Sequence, residues 1–421
     1  MRYLDLFAGA GGLSEGFIKA GFEPVAHVEI SEAACYTLKT RTAFHYLEQI
    51  NNLTPYIEYT SGQISREKLY SYIPNEKLDS VLCEEISAKT LKSIFKSIDN
   101  LKGNEPIDLI VGGPPCQAYS LMGRSRDPDG MLHDSRNYLY TFYVKFLEKY
   151  EPKYFVFENV VGLLSAKDEK GRLYLDMMKK AFNKAGYKIS QKTLNARDYG
   201  VLQNRKRIII VGKRTDAEHF NFQWPEHVHT DANVGAIFSD LPIIHAGEGD
   251  VYNCQLRNNP DPWLIESGVR SNVPGMPVTY YCSRTHKEQD LEIYRIAVNK
   301  WNTQHERLKY ADLPGRLKSH KNQNTFQDRF KVVAKDESAS QTVVAHIAKD
   351  GHYYIHPELE QNRSLTPREV ARLQTFPDDY YFESVSGKPS RTDAFRQIGN
   401  AVPVRLAYEI AHQLMEVWED E

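Results

Sequence analysis

Residues 3–22 read YLDLFAGAGGLSEGFIKAGF, and this stretch passes from an apolar strand through a glycine-rich turn into a helix. The segment YLDLF has the composition of a core strand, and the apolar spacing of GGLSEGFIKAGF favours a helix. Gly9, Gly11 and Gly12 let backbone amides approach a ligand at the helix N-terminus. A tight connection without a ligand explains the same glycines, because their spacing is not GxGxxG.

Further apolar segments repeat this pattern along the first half of the chain. Strand-like stretches occur at PVAHVEI (24–30), LIVGG (109–113), YFVFENV (154–160) and RIIIVGKR (207–214). Helical patterns such as YLYTFYVKFLEKY separate them. This alternation predicts an α/β fold with a doubly wound, mostly parallel sheet.

The character of the sequence changes beyond Arg214. Polar, proline-rich stretches continue until LTPREVARLQTF (365–376), so residues 215 to about 362 form a separate, loop-rich module. We expect a catalytic and cofactor-binding domain at 1–214, completed by 391–421. A smaller domain is expected at 215–390, including the segment LTPREVARLQTFP.

Composition excludes several classes of protein. The chain has 53 Lys and Arg against 55 Asp and Glu, so contact with a polyanion needs a local patch. Residues 301–331 hold seven Lys or Arg against three Asp or Glu, and such residues suit DNA phosphates and base edges.

The five cysteines are scattered, which predicts neither a zinc site nor disulfides and fits a reducing compartment. We expect no signal peptide and no membrane span.

The second strand ends in Glu29, about twenty residues after the glycine turn. A carboxylate at this place accepts hydrogen bonds from both hydroxyls of a ribose, which indicates a cofactor that contains adenosine. A solvated glutamate at a strand end is the simpler explanation.

The stretch LIVGGPPCQAYS (109–120) places Cys116 directly after a strand, two glycines and two prolines. Pro114 and Pro115 stiffen the loop that follows the strand. Ligands bind at this edge of an open α/β sheet, so Cys116 is a candidate nucleophile. A buried cysteine that acts as a small apolar residue is the alternative.

Two more motifs carry polar groups at strand ends. In FENV, Glu158 follows an apolar strand, and a carboxyl group among apolar neighbours has a raised pKa and holds a proton near neutral pH. The motif QNRKR (203–207) sends Gln203, Arg205 and Arg207 into the start of another strand, where alternate residues share a face. A solvated basic strand end is the simpler explanation.

Together these motifs resemble those of the DNA (cytosine-5)-methyltransferases of bacterial restriction-modification systems. The resemblance covers nearly the whole chain in the family's motif order, through DLFAGAGG (5–12), GGPPCQAYS (112–120), FENV (157–160), QNRKR (203–207), LTPREVARLQTFP (365–377) and QIGNAVP (397–403). It implies the Rossmann-like fold of S-adenosylmethionine-dependent methyltransferases with a small target recognition domain.

The resemblance also implies roles for particular residues. Contacts with S-adenosylmethionine are expected from Phe7, Ala8, Gly9, Gly11, Gly12, Glu29, Ile30, Glu85, Ile86, Pro115, Asn400 and Val402. The catalytic residues would be Cys116 as nucleophile, Glu158 as acid at the ring nitrogen of cytosine, and Arg205 and Arg207 as holders of the flipped base and the catalytic loop. Contacts with double-stranded DNA are expected from Gln117, Ser120, Arg124, Arg316 and Arg329.

The chain departs from the family's pattern at two places. Glu85 stands where the family often has an aspartate that contacts adenine, and Ile30 stands where it usually has an aromatic residue. The family further implies a monomer in the bacterial cytoplasm, with no metal and with a restriction endonuclease that acts on the same site. Two rival functions are a tRNA cytosine methyltransferase, whose Cys-Phe-Thr tripeptide does not occur in this sequence, and a catalytically dead DNA-binding relative, against which Cys116 and Glu158 argue.

Overall fold

The computed structural model of the protein describes residues 1–115, 135–216, 222–319 and 326–419. Its centre is a seven-stranded sheet with the spatial order β3-β2-β1-β4-β5-β7-β6. The strands are β1 (Arg2–Leu6), β2 (Glu23–Glu29), β3 (Val81–Cys83), β4 (Leu109–Gly112), β5 (Tyr154–Val160), β6 (Tyr187–Asn195) and β7 (Lys206–Arg214). The first five run parallel, whereas β7 runs antiparallel to both of its neighbours. This confirms the predicted α/β fold with a mostly parallel sheet.

Helices connect the strands and pack on both faces of the sheet. The α-helices of the described residues are α1 (Gly12–Lys19), α2 (Glu32–Gln49), α3 (Thr54–Thr60), α4 (Arg66–Tyr70), α5 (Asn75–Asp79), α6 (Leu91–Lys102), α7 (Leu139–Tyr150), α8 (Tyr174–Lys184), α9 (Pro262–Glu266), α10 (Glu288–Gln304), α11 (Pro367–Leu373), α12 (Arg391–Asn400) and α13 (Val404–Glu419). Helices α1 and α7 lie where the apolar spacing predicts them. None of these helices combines the length and apolar character needed to cross a bilayer.

Side-chain alternation along the strands produces two separate cores. In β1, Tyr3 belongs to a buried cluster that includes Leu406 and Ile410 of α13. Its neighbour Leu4 belongs to a second cluster that includes Phe146 of α7 and Phe182 of α8. Successive residues of a strand point to opposite faces, so both faces of the sheet are covered and the doubly wound arrangement follows.

The residues between β7 and α12 contain little regular structure beyond α9, α10, α11 and a two-stranded sheet of β8 (Gly249–Asp250) and β9 (Tyr281–Cys282). Helix α11 begins with a capping box in which Thr366 and Glu369 exchange side-chain to backbone hydrogen bonds. Two of its buried charged residues form ion pairs: Glu369 lies 2.7 Å from Arg363, and Arg372 lies 2.6 Å from Asp240 and 2.7 Å from Asp378. The segment therefore carries its charges into the interior. The division into two domains stays a prediction.

Candidate active site

The glycine turn lies between β1 and α1, at the edge of the sheet where the parallel strands end. Phe7, Gly9 and Gly11 have φ angles of 58°, 55° and 79°, which is the left-handed region. A non-glycine residue in that region costs about 1 to 3 kcal/mol, so the surrounding structure holds Phe7 there. A Cβ atom built on Gly9 would meet nothing within 4 Å. The turn thus presents backbone to open space large enough for part of a ligand.

The carboxylate of Glu29 organises the floor beside this turn. Its Oε2 accepts a hydrogen bond from the amide of Gly9 at 2.8 Å, and its Oε1 accepts one from the amide of Ser31 at 2.8 Å. Each carboxylate oxygen has a second lone-pair site, so both remain able to accept a hydrogen bond from a ligand hydroxyl. Glu29 therefore fits the predicted ribose site.

The residues predicted to surround adenine lie along the same edge. In the pairing of β2 with β3, Glu29 stands opposite Cys83, and Glu85 and Ile86 lie two and three residues after Cys83. Ile86 is buried and Glu85 is exposed. Ile30 is 63% exposed, so its apolar surface faces outward at the place where the family pattern has an aromatic residue.

The end of the chain closes the glycine turn from the other side. A Cβ atom on Gly12 would lie 2.4 Å from the carbonyl oxygen of Val402 and 3.1 Å from the Cβ of Ala401. Only glycine permits this approach, because the backbone oxygen cannot give way. Asn400 is exposed where α12 ends, next to this contact. The predicted cofactor residues of the two ends of the sequence are thus neighbours in space.

Glu158 and Arg207 form an ion pair at the ends of two adjacent strands. Arg207 Nε lies 2.7 Å from Glu158 Oε1, and the two side chains are 12% and 16% exposed. The antiparallel pairing of β5 with β7 places Val160 opposite Arg207, so the start of β7 returns to the edge where β5 ends. The sequence placed Glu158 among apolar neighbours and did not predict the guanidinium group that is in direct contact with it. The strand that carries it is buried as predicted.

The residues that follow β4 contact Glu158 and Asn159. The side-chain amide of Asn159 donates a hydrogen bond to the carbonyl oxygen of Pro114 at 3.3 Å. A Cβ atom on Gly113 would lie 2.3 Å from the backbone oxygen of Glu158. The described residues end at Pro115, which is exposed. Four predicted site residues lie outside the described ranges: Cys116, Gln117, Ser120 and Arg124.

Arg205 has partners different from those of Arg207. It lies just before β7 and is 1% exposed. Its Nη1 donates to the carbonyl oxygen of Val343 at 2.5 Å, and its Nη2 donates to that of Gly399 at 3.2 Å. The side chain therefore links the QNRKR motif to the loop that contains Val343 and to the last turn of α12, which contains Gly399.

The two arginines predicted to contact DNA have different surroundings. Arg316 has a side chain that is 66% exposed and forms an ion pair with Glu292. Arg329 is 14% exposed, forms an ion pair with Asp350 and lies 3.1 Å from His346 Nε2. Arg316 is therefore available at the surface, whereas Arg329 is held within its own module.

Asn159 and Tyr380 also belong to the site but were not predicted from the sequence. Both are buried and donate hydrogen bonds to the backbone of the site. Asn159 follows Glu158 and is 1% exposed, and its position in the FENV motif is the signal that marks it. Tyr380 lies three residues after the end of the motif LTPREVARLQTFP, and its hydroxyl contacts the glycine turn. In the ranges that the structure describes, no cluster of three or more His, Cys, Asp or Glu side chains is suited to a metal ion.

Comparison with known proteins agrees with this geometry. The family model for C-5 cytosine-specific DNA methylases matches residues 1–64 and 61–416. The Type II methyltransferase M.Bpa9945I of Bacillus paralicheniformis is 39% identical over 455 aligned residues, which cover 99% of each chain. M1.HphI of Haemophilus parahaemolyticus, also a Type II methyltransferase, is 28% identical over 100% of this chain and 88% of its own.

Solved structures share the fold. A prophage-encoded protein of E. coli, assigned as a DNA modification methyltransferase, superimposes with a TM-score of 0.62 at 23% identity over 100% of this chain and 99% of its own. The Dnmt2 methyltransferase of S. pombe has a TM-score of 0.54 at 17% identity, over 100% of this chain and 99% of its own. The chain therefore shares the fold of these solved structures.

Proposed function

The chain belongs to the family of C-5 cytosine-specific DNA methylases, and from this membership we propose how it acts. Its activity is that of a DNA cytosine-5 methyltransferase of the restriction-modification type. We propose that it methylates carbon 5 of a cytosine flipped out of a short, specific double-stranded sequence. Cys116 would form a covalent adduct with that base. The modification would protect the DNA of a bacterial cytoplasm from a restriction endonuclease that acts on the same site.

One observation carries the proposal most directly. Glu158, which forms an ion pair with Arg207, lies against Gly113. Its neighbour Asn159 donates a hydrogen bond to Pro114, two residues before Cys116 in the sequence. An acid, a cation and a thiol so connected are the groups that activation of cytosine requires. Carbon 5 is too electron-poor to take up a methyl group unaided, and addition of a nucleophile at carbon 6 converts the ring into an enamine.

The chain's own residues account for the proton and charge transfers. The Cys116 thiolate forms a bond to carbon 6 while Glu158 delivers a proton to ring nitrogen 3. Arg207 stabilises the negative charge that develops on the ring at oxygen 2. When carbon 5 later loses its proton to a base, the electron pair reforms the ring double bond and expels the thiolate.

Arg207 has a second task before the base arrives. Its ion pair keeps the Glu158 carboxylate satisfied in the free protein. Entry of the flipped cytosine would turn the guanidinium towards oxygen 2 and free the carboxyl group to take up a proton. Arg205 is proposed as a positioning residue, because its Nη1 and Nη2 groups are bonded to Val343 and Gly399.

The cofactor proposed for this chemistry is S-adenosylmethionine. When bound, it supplies the electrophilic methyl group that carbon 5 acquires. The two carboxylate oxygens of Glu29 can accept hydrogen bonds from its ribose. The open space at Gly9 leaves room for the part of the cofactor that would lie against the backbone of the turn. Phe7, Ile86 and Val402 would line the rest of its site.

Choice of the DNA sequence is proposed to reside in residues 215–390. The groups near Glu158 contact a base that is common to every target, so they cannot distinguish one site from another. Discrimination needs contacts to neighbouring base pairs and phosphates. Arg316 is the predicted DNA contact whose exposure suits this task.

Covalent trapping tests the proposal. The assay contains S-adenosylmethionine and a duplex of the target sequence with 5-fluorocytosine at the methylated position. After methyl transfer, carbon 5 holds fluorine instead of the proton that must leave, so the adduct with Cys116 should persist on a denaturing gel. The target is found first by bisulfite sequencing of plasmid from an expressing host. Cys116→Ser should bind S-adenosylhomocysteine as the wild type does and give no adduct. Tritium transfer to tRNA, or to no nucleic acid, would favour one of the rival functions.

A further inference from the structure

Tyr380 lies directly behind the glycine turn although it is far away in the sequence. Its hydroxyl donates a hydrogen bond to the carbonyl oxygen of Ala10 at 2.5 Å across 370 positions of sequence. A Cβ atom built on Gly11 would lie 2.8 Å from the same hydroxyl. Tyr380 is 1% exposed and Ala10 is 2% exposed. The contact is therefore sheltered from water.

This hydrogen bond fixes one peptide plane in the middle of the turn. The carbonyl of Ala10 and the amide of Gly11 belong to the same planar unit. The amide of Gly11 donates to the carbonyl oxygen of Ala8 at 3.0 Å, so the plane is held at both ends. Loss of the bond from Tyr380 would leave a buried carbonyl without its partner and one end of the plane free to rotate.

The ring of Tyr380 is itself held by a buried ion cluster. The guanidinium carbon of Arg41 lies 4.8 Å from the ring centroid. Arg41 donates to Glu15 of α1 at 2.5 and 2.9 Å and to Asp379 at 2.7 Å. Burial opposes ionisation of Glu15, but the charges of Arg41 and His45 outweigh it, so the pKa of this carboxyl lies well below its ordinary value. The cluster joins α1, α2 and the residues after α11.

We propose that Tyr380 is a positioning residue for cofactor binding, because its hydroxyl sets the orientation of the Ala10–Gly11 peptide in the turn that faces the cofactor. The inference rests on the proposed binding of S-adenosylmethionine at this turn. Tyr380 touches no reacting atom and acts through the backbone of Ala10. Its consequence is that the segment after LTPREVARLQTFP controls affinity for the cofactor as well as packing.

A merely structural role is the competing explanation, and Tyr56 supplies the control. The hydroxyl of Tyr56 donates to the carbonyl oxygen of Asp379 at 2.7 Å, and the ring is fully buried in the same cluster. Tyr380→Phe and Tyr56→Phe each remove one buried hydroxyl from one backbone carbonyl. Only the first of these carbonyls belongs to the glycine turn.

The test measures binding of S-adenosylhomocysteine by calorimetry, together with the melting temperature and steady-state kinetics. Tyr380→Phe should raise the Kd and the KM for S-adenosylmethionine about tenfold, equivalent to ~1.4 kcal/mol. Its kcat at saturating cofactor and its Kd for DNA should stay within about twofold of the wild-type values, because no reacting group changes. Tyr56→Phe should lower the melting temperature to a similar extent and leave the Kd unchanged.

Two results would overturn the inference. One is a Kd for Tyr380→Phe within twofold of the wild-type value. The other is an equal rise of the Kd in both variants, which would assign the effect to general loss of packing. Failure of the wild-type protein to bind S-adenosylhomocysteine would be different in kind, because it would refute the proposed cofactor itself and the inference with it.

Discussion

Gly113 lies so close to Glu158 that no side chain fits at position 113. A Cβ atom at Gly113 would lie 2.7 Å from the Oε2 atom of Glu158 and 2.3 Å from its backbone oxygen. The strand end that leads to Cys116 is thereby packed against the carboxyl group with which Cys116 is proposed to act. This closeness fixes the separation of the backbone at Gly113 from the backbone at Glu158.

Gly113→Ala should separate the two strand ends and reduce activity. The added methyl group cannot push aside a backbone oxygen, and overpacking of this kind costs typically 1 to 3 kcal/mol. We expect kcat to fall by at least about tenfold, because small displacements of reacting groups reduce rates strongly. Gly315→Ala is the control, since a Cβ atom there meets nothing within 4 Å. Equal activity of both variants would contradict the packing argument.

Glu158→Gln should reduce the methylation rate by roughly 10²- to 10⁴-fold, the usual range for loss of a general acid. The amide keeps the size of the carboxyl group but delivers no proton to ring nitrogen 3. Affinity for DNA and for S-adenosylhomocysteine should change little, as gel-shift titration and calorimetry would show. The surface variant Glu105→Gln serves as the control. If DNA binding fell as far as the rate, Glu158 would have a structural role instead.

Arg205→Met should destabilise the protein by about 2 to 3 kcal/mol. The variant keeps the length of the side chain but leaves the carbonyl oxygens of Val343 and Gly399 without these two donors in the interior. Urea unfolding would measure the loss. Arg197→Met removes an exposed arginine that donates to Ser338 Oγ at 3.0 Å and should have little effect. A wild-type midpoint for Arg205→Met would exclude the positioning role.

Stability should fall as the pH drops from 7 to 5, in part because of His27. Burial, with a contribution from His45, lowers the pKa of His27 from 6.5 to about 4, so the unfolded chain binds a proton at pH 5 that the folded protein does not. Folding is thus penalised as the pH falls below 6.5, by ~1 to 2 kcal/mol at pH 5. His27→Gln should lose less stability over this interval in urea unfolding. His229→Gln, at an exposed site, should follow the wild-type curve.

Arg316→Ala should mainly weaken DNA binding, whereas Arg329→Ala should mainly lower the stability of the protein. Arg316 is exposed, so its loss should weaken DNA binding and change stability by less than about 0.5 kcal/mol. Arg329 is largely buried beside Asp350, so its loss should lower the melting temperature. Binding across a series of related sites would tell whether Arg316 reads one base pair or contacts a phosphate. Wild-type DNA affinity for Arg316→Ala would remove it from the interface.

Sequence patterns predicted the centre of the sheet better than its edges. The strands β1, β2, β5 and β7 lie within one residue of the predicted segments, because strands in the buried centre of a sheet are rich in apolar residues. The edge strands β3 and β6 were not predicted. Strand β3 has only three residues, and most side chains of β6 are partly or fully exposed, so neither has a strong apolar pattern.

The least predictable parts of the site depend on long-range contacts of polar side chains. Arg205 and Arg207 lie in the same sequence motif. The side chain of Arg205 nevertheless lies in the interior, whereas that of Arg207 pairs with Glu158. Only the folded positions of Val343 and Gly399 distinguish them. Similarly, Arg372 lies in a sequence rich in charges that would be solvated on an ordinary surface helix, and its burial depends on Asp240, more than a hundred residues away.

The contact between Gly12 and Val402 also bears on when the protein becomes active during its synthesis. The turn leaves the ribosome early, but the backbone that covers it, and the hydroxyl of Tyr380 that braces it, are translated 370 or more positions later. A nascent chain halted before these residues has most of the sheet and the proposed nucleophile and acid, Cys116 and Glu158, but lacks the backbone that packs against Gly12. We therefore expect incomplete chains to be inactive, and a truncation that removes only α13 and the residues just before it should abolish binding of S-adenosylhomocysteine.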